Sequence, residues 1–305
     1  MNDISILKKE FINQGIEKII RFNEPLFKYT SLKVGGPADI FCIPNNIEEL
    51  IKIISISQAF KIPFWVIGSG TNLLILDKGV RGTIIKLGKD FKKIDFFDNI
   101  IKVGAGVPLL FLNKIILNKG LSGLEFTCNI PGTVGGALIN NASFNGECMA
   151  DIVKDVNCLT VEKKIVNIPK SDLNFEYRKC NLKEKSIIIL DINLQLKVGD
   201  KEKIKSKIKE YIKIREIRQP NDKLSAGSIF KNPPGYFAGE LIEKVKAKGL
   251  SRGEAIVSNK HANFIINNGH SRAKDIIDLM EEVEKRVRDT FKIELEREVQ
   301  ILGEP

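Results

Sequence analysis

Two short segments concentrate the residues best suited to grip a phosphorylated ligand. Gly68, Ser69, Gly70, Thr71 and Asn72 directly follow the apolar run Phe64 to Ile67. In such a loop several backbone amides and two hydroxyls converge on an anion, which is how a pyrophosphate is cradled. The second segment carries Pro131, Gly132, Thr133, Gly135 and Gly136 and leads to Asn140, Asn141 and Ala142. Glycines at that density let the backbone approach a flat or charged ligand closely. The first loop alone reads more readily as an ordinary tight turn than as a ligand site; two loops flanking a strand-rich stretch suit the two ends of one long dinucleotide. The first is not a Rossmann loop, since the third glycine and a downstream acidic residue at the right spacing are missing, nor a Walker loop, since no Gly-Lys-Ser/Thr follows.

These loops require elements to hold them. Asn46 and Glu49 read as a capping box for a helix over Asn46 to Ser57, with Leu50, Ile51, Ile53 and Ile54 inward. Strands are expected at Phe64 to Ile67, Gly82 to Leu87, Ile100 to Val103, Val156 to Val161 and Ser186 to Lys197. In the last, Ile188, Leu190, Ile192, Leu194 and Leu196 alternate with polar residues, as in a half-buried strand. Lys201 to Arg218, with Ile204, Ile208 and Ile212 at helical spacing, reads as an amphipathic helix with a solvated basic face. Ser271 is placed to cap a helix with Ile276, Met280, Val283 and Val287 inward, and Ile293 to Leu302 reads as a closing strand. Strands and helices without steady alternation indicate an α+β fold. Boundaries near residues 85 and 200 divide the chain into 1–85, 86–200 and 201–305.

Composition narrows the function. A chain of 305 residues with 43% hydrophobic and 28% charged residues is that of a soluble globular protein with more than one core. No apolar run is long enough for a membrane span, and Met1 to Gln14 lacks a signal-peptide core, so membrane insertion is not expected and a cytoplasmic location is. Five scattered cysteines without a C-x-x-C pair, and only two histidines, His261 and His270, indicate free thiols and no metal centre. The formal charge of +10 suits an anionic partner, but no interleaved basic and aromatic cluster points to nucleic acid.

Taken in order, Tyr29 to Ala38, Val66 to Leu74, Gly120 to Glu147, Phe175 to Arg178, Arg215 to Asn232, Lys248 to Asn267 and Leu295 to Gly303 cover nearly the whole chain. In that order they resemble vanillyl-alcohol-oxidase-type (PCMH-type) flavoproteins and, more narrowly, the UDP-N-acetylenolpyruvoylglucosamine reductase family. The resemblance implies a two-part FAD-binding domain, residues 1–85 and 86–200, followed by a C-terminal α+β substrate-binding domain, 201–305. The activity implied is NADPH-dependent reduction, through FAD, of UDP-N-acetylglucosamine enolpyruvate to UDP-N-acetylmuramate, a peptidoglycan precursor. The cycle implied by the resemblance is ping-pong, NADPH reducing FAD and leaving before the UDP-sugar binds. The stretch Asn141 to Gly146 reads Asn-Ala-Ser-Phe-Asn-Gly where the family more often has Asn-Ala-Gly-Ala-Tyr-Gly. Some relatives attach flavin to a histidine near the first loop; both histidines here lie beyond residue 260, so FAD is expected to be noncovalent.

Residue by residue, the resemblance assigns FAD contacts to Gly68, Ser69, Gly70, Thr71, Asn72, Pro131, Gly132, Thr133, Gly135, Gly136, Asn141 and Ala142. It assigns Arg178 and Glu298 to the substrate carboxylate and Ser228 to protonation of the enolate carbon. Tyr177, Arg215, Lys231, Asn232 and His261 become substrate-binding positions. The chemistry is consistent with those residue types. A guanidinium fork matches two carboxylate oxygens. A glutamate facing a carboxylate must be protonated or share a proton with it, since two close like charges disfavour joint ionisation, and a serine hydroxyl can serve as acid only toward a strongly basic carbon held beside it.

Overall fold

The structure, a computed structural model, describes residues 4–185 and 187–305. The chain packs as two compact units, each assembled from separate stretches of sequence. One comprises the chain up to Phe22, Ile40–Ser69 and Gly82–Lys213; the other comprises Asn23–Asp39, Gly70–Arg81 and Ile214–Pro305. The sequence boundaries near 85 and 200 are expectations about functional blocks, and these packing units cut the chain elsewhere.

In the first unit an antiparallel sheet runs in the order Ile165–Pro169, Val153–Thr160, Ile187–Gln195, Ile100–Gly104, Ile94–Phe97. The alternation read from sequence sets its faces: Ile188, Leu190, Ile192, Leu194 and Leu196 are buried, as are Ile101, Val103, Val156 and Cys158. Ser186, the expected start of the long strand, lies outside the described residues. Ile189 is buried as well, because the register with the neighbouring strand shifts between Asn157 and Cys158. On the opposite face Asn157 donates to Asp191, and Asn167 and Asn193 both donate to Asp155. The helix Val134–Ile139 rests against the strands Ile187–Gln195 and Ile100–Gly104, which fixes where the second glycine loop must end.

A further sheet has the order Ile20–Pro25, Pro37–Cys42, Val80–Lys86, Phe64–Ile67, the last two strands parallel, so Phe64–Ile67 delivers the chain to Gly68. The helix before it spans Ile47–Ala59. Asn46 caps it by accepting from the Glu49 amide at 2.9 Å, but the Glu49 carboxylate reaches back to the amide of Asn45, at 2.6 Å, one residue further than the expected box. The basic helix spans Lys201–Arg218 as expected; Ile204 and Tyr211 are its buried residues and most of its lysines are exposed.

The second unit has a core of its own around the helix Ala273–Phe291, whose Ile276, Leu279, Met280, Val283 and Val287 are buried against Val257, Ile265, Leu241 and Phe230. Ser271 does not cap this helix. The carboxylate of Asp77 accepts from the amides of Ala273 and Lys274, at 2.8 and 3.0 Å, and Asp275 accepts from Arg272 N. The closing strand is also shorter than expected, Gln300–Leu302, running parallel to Leu73–Ile75. Upstream, the backbone is engaged elsewhere: Glu296 O accepts from Lys231 N, and Glu298 N donates to Ile229 O. The chain therefore changes partner at Glu298, and no single ladder runs through Ile293 to Leu302. Among the described residues no helix is long and apolar enough to cross a membrane, and no group of three or more His, Cys, Asp or Glu side chains is placed to hold a metal ion.

Candidate active site

In the first unit the two glycine-rich segments meet. A Cβ on Gly68 would lie 2.5 Å from Thr133 Oγ1, so only a residue without a side chain lets the segments pass this closely. Thr133 is itself fixed: its hydroxyl accepts from Gly136 N at 3.3 Å to cap the helix Val134–Ile139, and Val134 and Gly135 donate to Val107 and Ala105. Gly135 is required by its approach to Ala105, 2.9 Å from a would-be Cβ, whereas Gly136 is exposed and a Cβ there would meet only Thr133 Oγ1 at 3.4 Å. Pro131 is likewise exposed, and Gly132 has φ 144°. The stretch Gly104 to Pro108, which lines this loop, went unnoticed in the sequence; a strand ending in Gly-Ala-Gly was its signal.

Gly70 belongs to the second unit and adopts φ 65°, and a Cβ there would sit 2.0 Å from the carbonyl oxygen of Tyr29. Its own carbonyl accepts from Ser31 N at 3.1 Å, and Ser31 Oγ donates to Ser225 O at 2.7 Å. Asn72 O accepts from Gln300 N at 3.0 Å. The loop is thus anchored through carbonyl oxygens, while an anion calls on the amides. Backbone free of side chains at Gly68 and Gly132, and at Gly136 in the first turn of the helix Val134–Ile139, with Thr133 beside Gly68, fits the backbone-lined grip that the diphosphate of FAD requires.

Asn141 and Ala142 follow the second loop. Asn141 is buried at φ 39°; its carboxamide donates to Glu176 O and accepts from Ala150 N, both at 3.0 Å, so its side chain is committed to the protein backbone. The bond to Glu176 reaches the turn that carries Tyr177 and Arg178. That turn is closed by reciprocal bonds between Glu176 and Lys179, with Arg178 at φ 58°. Holding a non-glycine residue there costs on the order of 1 kcal/mol, and such strain persists where the surroundings over-determine it, often at functional sites. Arg178 is half-buried, its guanidinium lies 5.4 Å from the ring centroid of the exposed Tyr177, and its Nη1 donates to Ser143 Oγ at 2.8 Å.

The second unit gathers Ser228, Lys231, Asn232, His261 and Glu298. Ser228 is half-buried between Gly227, at φ 76°, and Ile229. The carbonyl of Ile229 accepts from Glu298 N at 2.7 Å, which sets the serine and glutamate segments side by side. Asn263, missed from sequence as one polar residue in an apolar run, braces them: its carboxamide bonds both the amide and the carbonyl of Phe230, and its carbonyl accepts from Ile229 N. Asn263 N also donates to His261 Nδ1 at 3.3 Å. Burial, and then the positive charge of Lys248, hold the His261 imidazole below its ordinary pKa. Lys231 pairs with Glu296, a residue that looks from sequence like an ordinary strand-face charge, and Asn232 Oδ1 accepts from Ala238 N at 2.9 Å. Arg215 is half-buried on the last turn of the helix Lys201–Arg218.

The comparisons agree along the length of the chain. A FAD binding domain model matches residues 38–168, and the model of the UDP-N-acetylenolpyruvoylglucosamine reductase C-terminal domain matches residues 219–302. The UDP-N-acetylenolpyruvoylglucosamine reductase of Syntrophus aciditrophicus is 39% identical over 301 residues, 97% of this chain and 96% of that protein. The protein of that name from Caldanaerobacter subterraneus is 40% identical over 296 residues, 97% of each. The crystal structure of UDP-N-acetylenolpyruvylglucosamine reductase from Thermus caldophilus is similar with a TM-score of 0.80 and 37% identity, covering 93% of this chain and 98% of that one. BBE-like 1 from Physcomitrella patens, 13% identical with a TM-score of 0.56 over 93% of this chain and 88% of its own, shares the fold alone. Matched to such relatives over nearly their full length, with both a flavin-binding and a reductase-specific module, the chain belongs to the UDP-N-acetylenolpyruvoylglucosamine reductase family.

Proposed function

We propose that this protein reduces UDP-N-acetyl-3-O-(1-carboxyvinyl)-glucosamine to UDP-N-acetylmuramate, with NADPH as reductant and noncovalent FAD as carrier, in the cytoplasmic supply of peptidoglycan precursors. The observation that carries this reading is the presence on one chain of a flavin-binding module and the reductase family's C-terminal module. FAD, when bound, supplies the hydride acceptor and donor that the side chains lack. The amides of Gly68 to Asn72 and of Gly132 and Thr133 would hold its diphosphate, since those of Val134, Gly135 and Gly136 already donate to Val107 O, Ala105 O and Thr133 Oγ1.

The protein's remaining task is electrostatic. Addition of hydride to an enol ether bearing a carboxylate builds negative charge on that carboxylate, and fixed donors aimed at it lower the barrier. Arg178 presents a permanently charged planar fork for two oxygens. Glu298 contributes a proton shared with the same carboxylate. The Ser228 hydroxyl gives its proton to the enolate carbon, a transfer that depends on proximity because serine is a weak acid. Tyr177, Arg215, Lys231, Asn232 and His261 are assigned to binding the UDP-sugar.

The test is spectroscopic. Purified protein should show a flavin absorbance that NADPH bleaches and that the UDP-enolpyruvyl sugar restores. Bleaching of the oxidised flavin by simple alcohol substrates, with no recolouring of the NADPH-reduced flavin by the UDP-sugar, would replace this reading with another oxidoreductase activity.

A further inference from the structure

The segment Asn141 to Cys148 is built as a brace, and what it braces is Arg178. Asn145 and Gly146 have φ 53° and 85°, the left-handed pair that a two-residue type I′ hairpin demands, and Asn-Gly is the sequence that best supplies it. The hairpin pairs Phe144 with Glu147 and Ser143 with Cys148. Its far strand is clamped to the helix Lys201–Arg218, because the Glu147 carboxylate accepts from Lys207 Nζ at 2.7 Å and from Tyr211 OH at 2.9 Å. Its near strand is clamped by the Phe144 ring, set edge-on to Tyr211 with centroids 5.2 Å apart. Ser143 is therefore not free to drift, and its hydroxyl accepts the 2.8 Å bond from Arg178 Nη1. Two residues earlier Asn141 holds the Arg178 turn through Glu176 O.

We infer that Ser143 is a positioning residue that orients the Arg178 guanidinium for the substrate carboxylate. The inference rests on the catalytic role proposed above for Arg178. A bond from a charged donor is among the stronger side-chain hydrogen bonds, and it restricts rotation of the fork, whose value lies in offering two parallel donors at once. Loss of that restriction leaves the charge in place and spoils its direction, and misdirection of a reacting group by about 1 Å can cost on the order of a hundredfold in rate.

Three variants and two readouts test this. In Ser143→Ala, FAD content and the rate of NADPH-driven bleaching should match the parent, while kcat for the UDP-sugar half-reaction falls about tenfold to a hundredfold. Ser143→Thr, which keeps the hydroxyl, should recover most of that loss. In an Arg178→Ala background, Ser143→Ala should add less than about a twofold further loss, since residues acting as a unit are non-additive. The second readout needs no turnover: in protein labelled with 15N-arginine, the Arg178 side-chain resonance should broaden through faster guanidinium rotation in Ser143→Ala and sharpen again in Ser143→Thr. An unchanged Arg178 resonance, or the same rate factor in both backgrounds, overturns the inference. Failure of the parent protein to be recoloured by the UDP-sugar is a distinct result, and it removes the functional reading instead.

Discussion

Asn72 and Glu298, 226 positions apart, are joined by a hydrogen bond from the Asn72 carboxamide to the Glu298 carbonyl, at 3.1 Å. The same carboxylate-bearing residue donates its amide to Ile229 O, beside Ser228. A residue assigned to the cofactor loop thus holds the backbone of a residue assigned to catalysis. Asn72→Ala should lower the unfolding free energy by about 1 kcal/mol, the usual worth of such a bond. It should also slow the substrate half-reaction. Thermal denaturation and stopped-flow reoxidation check both, and a lowered midpoint with normal reoxidation would make Asn72 a purely structural tie.

Gly70 and Gly136 separate folding from cofactor binding. Gly70 combines φ 65° with a would-be Cβ contact of 2.0 Å to Tyr29 O, so Gly70→Val should destabilise the fold itself, whatever the loop binds. Gly136 is exposed, and a Cβ there meets one hydroxyl at ordinary contact distance. Gly136→Val should keep its far-ultraviolet circular dichroism and lose flavin. Purification of folded Gly136→Val with full FAD would detach the second loop from the cofactor.

Ser228→Ala should leave flavin content and NADPH-driven bleaching near normal and slow the second half-reaction by about two to three orders of magnitude, in the range general acid catalysis contributes. Rapid-mixing experiments on each half-reaction give the comparison. Equal slowing of both would take Ser228 out of the proton-donor role.

His261 imposes a pH dependence on stability. Its folded-state pKa lies below the ordinary 6.5, first through burial and then through Lys248, so the unfolded chain binds the proton more readily than the folded one. The contribution is fully present above about pH 6.5 and is lost as pH falls through that value toward the folded pKa. Urea midpoints measured between pH 7.5 and 5.5 should decline, and His261→Gln should flatten the decline. An unaltered slope in that variant would assign the pH dependence to other groups.

What the sequence determined by itself was whatever a local period or a local turn encodes. Four apolar residues gave the strand Phe64–Ile67, a spacing of four gave the helix Lys201–Arg218, and a stripe of Ile276, Met280, Val283 and Val287 gave the buried face of Ala273–Phe291, because each depends on neighbours within a turn or two. Gly68 to Asn72 was legible as a loop, the second segment only as far as Thr133, since Gly135 and Gly136 open the helix Val134–Ile139, and the residue order carried the family. Tertiary structure decided the rest. Ser271 looked like a cap, yet Asp77, 196 positions before Ala273, accepts from that helix's first amides. The closing strand breaks at Glu298 because its hydrogen bonds pass from the Ile229 segment to Asn72. Gly70 is required by its close approach to Tyr29 O, and Ser143 meets Arg178 beside a hairpin. Each of these is a contact whose partner lies far along the chain, and the partner of a long-range hydrogen bond leaves no period in the sequence around either end.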